Sequence, residues 1–426
     1  MTTEIAVMRD LVRVARERES AVVRLLGRFV RCESPSYDKA AVDRFGAMVA
    51  SEWRRRGAKV KVLEQRLRGD HLRIEVAVGT ARVADGQGDR SNVAKIDGRG
   101  LRGGARRAAG QDDGQILVLG HLDTVYPLGT IAKMPFRVAG GKAWGPGTFD
   151  MKGGLVLALA AVDVLREASV SRRAGALRAA GPRKRIVFLW TSDEEIGSET
   201  SRRAIESEAR RSNAVLVLEP SLGREGRLKT QRKGVGGAEV IVKGRSAHAG
   251  IEPEKGVNAV HELALQIARL MKMNDPGRGI TVQATVADGG TTSNVVPAHA
   301  HALVDIRFAR LADARGIERE LRSLRPILRG ARVEVRVGDL RPPLERSEGV
   351  HGLFRVARGL MHEVGHSLGE ASTGGGSDGS FTAALGVPTL DGLGAVGDGA
   401  HSPREHVVVR ELAVRAALIA GLLVSL

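Results

Sequence analysis

Histidine and acidic side chains follow three apolar runs of the chain, and their types and spacing could bind a metal ion. In chain order, the runs and the residues after them are 116–119 with His121 and Asp123, 186–190 with Glu194 and Glu195, and 214–218 with Glu219. Continuous apolar runs of this kind are typical of central parallel strands that helices cover on both faces. Because ligands of open α/β sheets bind beyond the carboxyl ends of the strands, we expect these side chains to converge on one crevice. Several carboxylates so close together would shift to their neutral forms unless a divalent cation balanced their charge.

His121 and Asp123 form a pair whose spacing has a geometric meaning. They lie two residues apart, so both side chains point the same way from an extended chain. A histidine can bind metal through one ring nitrogen while a carboxylate orients the imidazole through the other. Taken alone, such a pair is more often an ordinary hydrogen bond. The buried strand before it, with Thr124 and Val125 after it, favours the metal-binding interpretation.

Asp150 lies in a glycine-rich turn, residues 145–154, that leads into an apolar helix. An aspartate there could simply cap the helix, since its side-chain oxygen can accept a free backbone N–H. The functional alternative makes Asp150 a carboxylate whose two oxygens bridge two metal ions. Glycine-rich turns also cradle phosphates, but the GxxxxGK[ST] pattern is absent, which argues against a nucleotide-binding loop.

Adjacent Glu194 and Glu195 admit a division of roles, in which one binds metal and the other moves protons. Neighbouring glutamates are common on solvated helices, but the apolar residues 188–190 before this pair are not such a helix face. His401 follows a stretch rich in glycine and aspartate, 392–399, and completes a set of two histidines and three carboxylates. Two zinc ions sharing a carboxylate and a water need about that many ligands, because each favours about four or five. Without a thiolate in the set, cobalt and manganese are also admissible.

The other elements place this crevice in a two-domain architecture, which the length of 426 residues also favours. Residues 10–57 have a helical pattern, 155–165 and 350–364 are predicted helices, and 59–63, 72–78, 91–96 and 387–390 are predicted strands. A further series consists of strand 238–242, helix 257–273, strands 280–286 and 302–308, helix 312–328 and strand 331–337. This βαββαβ order is that of a ferredoxin-like unit. We therefore expect an α/β fold, with a doubly wound, mostly parallel-sheet catalytic domain, residues 1–222 and 341–426, and an inserted ferredoxin-like α+β domain, residues 223–340.

Composition and charge narrow the location and partners that we expect. The net charge is +17, with basic clusters in two segments, 97–114 and 169–184, that resemble inserted surface loops, but only 3% of residues are aromatic. We expect no nucleic-acid function, because the arginines are spread along the whole chain and base stacking needs aromatic side chains. No apolar run is long enough for a membrane span, residues 1–20 lack a signal-peptide pattern, and Cys32 is the single cysteine. These features favour the reducing cytoplasm.

Eight short motifs, in order along nearly the whole chain, resemble a known enzyme family; they are GHLDTV, GTFDMKGG, TSDEEIGS, LEP, SAHAG, TTSNVVP, GGGSD and HSPRE. The resemblance is to the metallopeptidase family that includes glutamate carboxypeptidase (carboxypeptidase G), succinyl-diaminopimelate desuccinylase, acetylornithine deacetylase and aminoacylase. Glu219 stands where many relatives carry aspartate, which favours the glutamate carboxypeptidase branch. Phe149 within GTFDMKGG is a minor departure.

The resemblance implies an activity and a role for each site residue. The protein would be a zinc-dependent hydrolase that cleaves an amide bond next to a free carboxylate, as a glutamate carboxypeptidase-like enzyme or an N-acyl amino acid deacylase. It implies one zinc site of His121, Asp150 and Glu219 and a second zinc site of Asp150, Glu195 and His401. Asp123 would orient His121, and Glu194 would be the general base. His248 would reach the scissile carbonyl from a partner subunit, and the substrate carboxylate would be held by Asn294, Arg307 and Arg341. A homodimer formed through the ferredoxin-like lid domain, and a small N-acyl amino acid or peptide substrate, are also implied. A catalytically silent binding protein on the same fold is the alternative, although the motifs lack neither a ligand nor the base.

Overall fold

The computed structural model describes residues 2–76, 114–170 and 184–426. The predicted strand 91–96 and nearly all of the two basic segments lie outside these residues. The helices within them are Thr2–Glu17, Glu19–Arg31, Lys39–Arg55, Thr130–Lys133, Gly153–Val170, Arg202–Ala209, Ala259–Met271, Leu311–Arg322, Glu348–Glu363, Gly379–Ala384 and Val409–Ser425. The strands are β1 (Lys59–Leu63), β2 (His71–Val76), β3 (Gln115–His121), β4 (Arg137–Ala139), β5 (Lys142–Trp144), β6 (Arg185–Thr191), β7 (Ser212–Val217), β8 (Leu228–Arg232), β9 (Gly234–Lys243), β10 (Thr281–Gly289), β11 (His299–Phe308), β12 (Arg332–Val337), β13 (Glu370–Thr373), β14 (Thr389–Leu390), β15 (Gly397–Asp398) and β16 (His406–Val408).

A six-stranded sheet provides the crevice that the sequence predicts. Its strand order is β1-β2-β6-β3-β7-β14. The strands β6, β3, β7 and β14 run parallel to one another, whereas β1 and β2 pair antiparallel at one side. Every residue of β3 is buried, and so is every residue of β6 except the first. The prediction that the apolar runs at 116–119, 186–190 and 214–218 form central parallel strands is therefore confirmed.

Helices cover both faces of this sheet, which explains why its central strands are apolar throughout. Alternate residues of β3 and β6 enter two different cores, because successive side chains of a strand point to opposite faces. Val118 and Phe188 pack in the core that contains the helices Gly153–Val170 and Val409–Ser425. On the opposite face, β3 and β6 pack against Ile205. Complete burial of one such side chain contributes about 1.5–3 kcal/mol.

A second sheet has the order β10-β11-β9-β12 and is antiparallel throughout. Its core is shared with the helices Ala259–Met271 and Leu311–Arg322, and the chain order is the expected βαββαβ. The second of these helices ends at Arg322, six residues earlier than predicted, because the residue before Pro326 is pushed out of helical conformation. The expected fold class is confirmed by the two sheets, while the domain boundaries at 223 and 340 stay a prediction.

Two small sheets and the helix Val409–Ser425 had not been predicted. The four short strands β15-β16-β5-β4 form one of these sheets, and strands of two or three residues carry no usable hydrophobic period. This sheet matters for the site, because β15 and β16 flank His401 and pair with each other, and β16 also pairs with β5, which precedes Asp150. No helix in the described ranges combines the length and the apolar character needed to cross a membrane.

Candidate metal and catalytic site

Two groups of metal-binding side chains lie next to each other at the carboxyl ends of the central strands. One contains His121, Asp150 and Glu219, the other Asp150, Glu195 and His401, and the ligand atoms of each group lie within 4.8 Å of one another. His121 Nε2 is 3.3 Å from Asp150 Oδ1 and 3.4 Å from Glu219 Oε1. His401 Nε2 is 3.4 Å from Asp150 Oδ2 and 3.2 Å from Glu195 Oε2. The two oxygens of Asp150 therefore face different groups, as those of a bridging carboxylate do.

Strand ends place three of these five side chains. His121 is the last residue of β3, and Glu219 follows the end of β7 by two residues. Glu195 lies in the short helical turn Glu194–Ile196 that follows β6. The other two ligands come from loops: Asp150 precedes the helix Gly153–Val170, and His401 lies between β15 and β16 with a φ of 59°. Parallel strands that end at one edge thus bring three of the five side chains together, and two loops bring in the others.

The chemistry of the two groups fits divalent metal ions. All of the ligand atoms are carboxylate oxygens or imidazole nitrogens, which suit zinc, cobalt or manganese. Glu195 Oε1 is buried and has no hydrogen-bond partner in the part of the chain that the structure describes, as expected for an oxygen that a cation would satisfy. Hydrogen bonds to Asp150 and Glu195 raise the pKa of His401 to about 10. A metal ion would displace that proton, because a ligating imidazole must be neutral.

Asp123 is completely buried and holds two parts of the site together. Its backbone carbonyl oxygen is 2.9 Å from His121 Nδ1, and its carboxylate oxygen Oδ1 is 3.4 Å from the same nitrogen. The carboxylate also accepts hydrogen bonds from the backbone N–H groups of Glu194 and Glu195, each at 3.3 Å, and from Ser36 Oγ at 2.8 Å. The expected contact with His121 is therefore present, but its shorter part comes from the main chain.

Glu194 is paired with Arg341, a residue for which the family resemblance implies contact with the substrate carboxylate. Arg341 Nη1 donates to Glu194 Oε1 at 2.6 Å, and Nη2 donates to Ser198 Oγ at 2.5 Å. Burial raises the pKa of Glu194 to about 8, and the charge of Arg341 opposes that rise. Asp378, within the GGGSD motif, lies 3.9 Å from Arg341 Nη2. In this structure Arg341 orients the candidate base.

A cavity of about 1000 Å³ opens in front of the two groups and contains five basic side chains, namely Lys229, Arg202, Arg232, Arg307 and Arg341. Arg307 lines the cavity, and its guanidinium makes two hydrogen bonds with Asp305, at 2.8 and 2.9 Å. Lys229 is 8% exposed, and among the basic side chains lining the described cavity it alone makes no hydrogen bond or ion pair. The cavity therefore contains an unpaired buried cation beside the carboxylates.

His248 and Asn294 do not line this cavity within one chain. Both are exposed, and they lie next to each other in the second sheet's connecting loops, where Ala249 N donates to Asn294 O at 2.9 Å. Residue His248 pairs with Val295 in an isolated bridge. One chain therefore assembles nine of the eleven predicted site residues around the cavity or directly behind it, and leaves these two on the surface.

Arg232 and Asp391 were missed by the sequence-based reasoning. Arg232 is 3% exposed and donates to Asp391 Oδ2 at 2.8 Å and Oδ1 at 2.9 Å, and it also donates to Glu219 Oε2 at 3.3 Å. The pair thus orients a predicted metal ligand from behind. Asp391 follows the predicted strand 387–390 directly, so the same signal, a carboxylate after a buried parallel strand, could have found it.

Comparisons with known proteins agree with this architecture. The sequence profile described as peptidase family M20/M25/M40 matches residues 117–425. The chain is 32% identical over 432 residues to carboxypeptidase G2 of Pseudomonas sp. strain RS-16, covering 100% of this chain and 94% of the relative. It is 30% identical over 332 residues to succinyl-diaminopimelate desuccinylase of Burkholderia ambifaria, covering 72% of this chain and 81% of that enzyme.

Solved structures show the same fold. Aminopeptidase PepT from Bacillus cereus superposes with a TM-score of 0.70 at 21% identity, covering 95% of this chain and 98% of the other. A dinuclear metal binding peptidase of the M20 family from Bacillus subtilis has a TM-score of 0.63 at 14% identity, covering 96% and 98% of the two chains. The expected family resemblance and the expected enzyme class, a metallopeptidase-type amide hydrolase, are confirmed. The chain belongs to peptidase family M20/M25/M40.

Proposed function

We propose that the protein binds two zinc ions and hydrolyses an amide bond to release an amino acid or other product with a free carboxylate. The observation that carries this proposal is the pair of ligand groups that share Asp150, with Glu194 beside them and a cationic cavity in front. Carboxypeptidase G2 and succinyl-diaminopimelate desuccinylase, by their names, act on substrates of this kind. His121, Asp150 and Glu219 would hold one ion, and Asp150, Glu195 and His401 the other.

The chain's own residues would divide the work of the reaction. Divalent ions held there would supply Lewis acidity and lower the pKa of a bound water. Glu194 would accept the proton of the attacking water and deliver it to the leaving amine, as a general base and then a general acid. Asp123 would hold the base in place, because it accepts the backbone N–H of Glu194. Arg341 fixes the carboxylate of the same base through a 2.6 Å hydrogen bond.

The charge of the cavity supports an anionic substrate. Lys229 has no ion-pair partner among the described residues, and Arg307 lies in the same cavity, so both cations could bind a substrate carboxylate. Burial and the neighbouring charge of Arg232 lower the pKa of Lys229, which a bound anion would reverse. N-acyl glutamates, N-acyl amino acids and small peptides all carry such a carboxylate and are the substrate class that we propose.

The exposed positions of His248 and Asn294 support an assembly of two copies. We infer that residues 223–340 form a lid and dimerisation domain inserted into a catalytic domain of residues 1–222 and 341–426. In that dimer His248 from one copy would stabilise the developing oxyanion in the site of the other, and Asn294 would help to hold the substrate carboxylate. The single cysteine, Cys32, which is free, is in keeping with a cytoplasmic location.

Metal analysis and kinetics of a Glu194→Gln variant test the catalytic proposal. We expect about two zinc ions per chain in the wild type and in the variant, with turnover reduced roughly 10²- to 10⁴-fold, as for loss of a general base. A matched control is Glu225→Gln, because Glu225 has a side chain that is 71% exposed and lies outside the site. Loss of zinc from Glu194→Gln would assign that residue to the ligands instead. A wild type that hydrolyses none of the N-acyl amino acids and acylglutamates after zinc reconstitution would favour the silent binding protein.

Mixing two inactive variants tests the dimer. His248→Ala and Glu194→Gln should each be inactive alone, because one lacks the oxyanion donor and the other lacks the base. A heterodimer would contain one intact site, in which Glu194 of one chain meets His248 of the other. Random exchange of subunits should therefore restore about a quarter of the wild-type sites. Failure to recover activity in mixtures that are shown to exchange subunits would contradict this use of His248.

A further inference from the structure

We infer that Glu405 is a positioning residue that assembles the second metal group, Asp150, Glu195 and His401. Glu405 is completely buried, and its carboxylate accepts hydrogen bonds from the chain segment that carries Asp150. It lies four residues after His401, so one side chain connects the two loops that supply ligands. The inference rests on the proposed function, because it takes the group to be a metal site.

The carboxylate of Glu405 occupies a nest of backbone N–H groups. Its Oε1 accepts from Phe149 N at 2.8 Å and from Asp150 N at 2.9 Å, and its Oε2 accepts from Gly147 N at 2.9 Å. Within the described ranges, no lysine or arginine pairs with this carboxylate, so the N–H groups replace a cation as its partners. A buried carboxylate requires such partners, and the N–H groups in turn require an acceptor.

The shape of the segment depends on this contact. Gly147 has a φ of 70°, which L-residues rarely adopt, and a Cβ there would lie 2.9 Å from Thr124 Cγ2. The segment therefore turns sharply just before Asp150, and the three N–H groups converge on one point. Because the hydrogen bond holds the backbone N–H of Asp150, it also restricts the position of the Asp150 carboxylate relative to His401.

The loop of His401 is fastened at the same place. Tyr126 Oη lies 2.6 Å from Glu405 Oε2, to which it donates, and 3.1 Å from the carbonyl oxygen of Ser402. The backbone carbonyl of Glu405 also accepts Gly145 N at 3.3 Å. His401 has a φ of 59°, uncommon for a residue other than glycine, and surrounding contacts must maintain that conformation.

The first metal group is held differently, and that difference makes the inference testable. His121 is the last residue of the buried strand β3, and Glu219 follows β7 by two residues, so hydrogen bonds between these strands hold both positions. In the described ranges no hydrogen bond joins either residue to Glu405. In the second group both Asp150 and His401 belong to loops that Glu405 connects. Loss of Glu405 should therefore weaken zinc binding at the second group more than at the first.

Zinc affinities of Glu405→Gln, measured by competition with a chelator, provide the test. The amide can keep the two hydrogen bonds at the Oε1 position, but its nitrogen cannot accept the N–H of Gly147. We expect one of the two zinc ions to bind about 10- to 100-fold more weakly, as for loss of an outer-shell partner. Glu262→Gln is the matched control, because Glu262 is also a buried carboxylate that accepts backbone N–H groups, those of Ile327 and Leu328, but belongs to neither metal group. Its zinc affinities should equal those of the wild type.

Combination with ligand variants identifies the weakened site. Glu405→Gln combined with His121→Ala should bind no zinc at a concentration where Glu405→Gln combined with His401→Ala still binds one. Equal weakening of both ions, or affinities equal to those of the wild type, would overturn the inference. If Glu405→Gln does not fold, Glu405→Asp carries the same test, because its shorter carboxylate cannot reach all three N–H groups. A wild type without zinc affinity would instead overturn the proposed function.

Discussion

Replacing Arg232 by methionine should destabilise the metal-free protein strongly, although Arg232 is not a proposed metal ligand. The guanidinium of Arg232 is 3% exposed and makes two hydrogen bonds to the fully buried Asp391, one to Glu219 and two to the backbone carbonyls of Gly375 and Gly376. Arg232→Met removes all of these donors and leaves Asp391 buried without its cation. Breaking a buried ion pair in this way costs about 3–5 kcal/mol. For a protein of this kind the loss corresponds to a fall in the melting temperature on the order of 10 °C.

The double variant Arg232→Met with Asp391→Leu separates charge from packing. Replacing both partners of a buried ion pair by apolar residues of similar volume is often close to neutral, so much of the lost stability should return. Ser377 would lose its acceptor on Asp391, which costs about 1 kcal/mol and limits the recovery. Zinc affinity should stay reduced in both variants, because Glu219 no longer receives the hydrogen bond that orients it.

Urea unfolding and thermal melts of the chelator-treated proteins measure these effects, since bound zinc would add its own stabilisation. A single variant within about 1 kcal/mol of the wild type would refute the reasoning, because the estimate rests on an uncompensated buried charge. A double variant as unstable as the single one would show that packing, and not charge, determines the loss.

Three further predictions concern residues outside the metal groups. A hydrogen bond and ion pair with Arg346 lower the pKa of Glu370 to about 2, below its value in the unfolded chain. The pair therefore stabilises the folded protein above about pH 4, and this stabilisation disappears as the pH falls from about 4 toward about 2. Glu370→Gln should therefore lower the free energy of unfolding at pH 7 by at most about 1 kcal/mol, because the pair is partly exposed, and the difference from the wild type should shrink in urea titrations at pH 3. Gly394→Ala should destabilise by about 1–3 kcal/mol in the same assay, because its Cβ would lie 2.2 Å from a backbone carbonyl oxygen. Gly359→Ala, on the helix Glu348–Glu363, meets nothing within 4 Å and should instead stabilise by about 0.5–1 kcal/mol.

The sequence alone predicted the central sheet and three of the side chains that cluster at its edge, because both depend on local order along the chain. A parallel strand buried on both faces must be apolar at every residue, so β3, β6 and β7 are visible as continuous runs. His121, Glu195 and Glu219 follow those runs, and parallel strands that end at one edge of a sheet bring such residues together. The βαββαβ series was visible for the same reason, since hydrophobic periodicity is also a local property.

Only the tertiary structure decided which polar groups face one another. Arg232 and Asp391 are 159 residues apart in the chain, and no local pattern connects them. The guanidinium of Arg341 could bind either a substrate carboxylate or the carboxylate of Glu194, and in the folded chain it donates to Glu194. His248 and Asn294 carry the right chemistry but lie on the surface of a single chain. The physical reason is that a hydrophobic period reports burial along one element, whereas the partner of a charged side chain is chosen by the relative placement of elements distant in sequence.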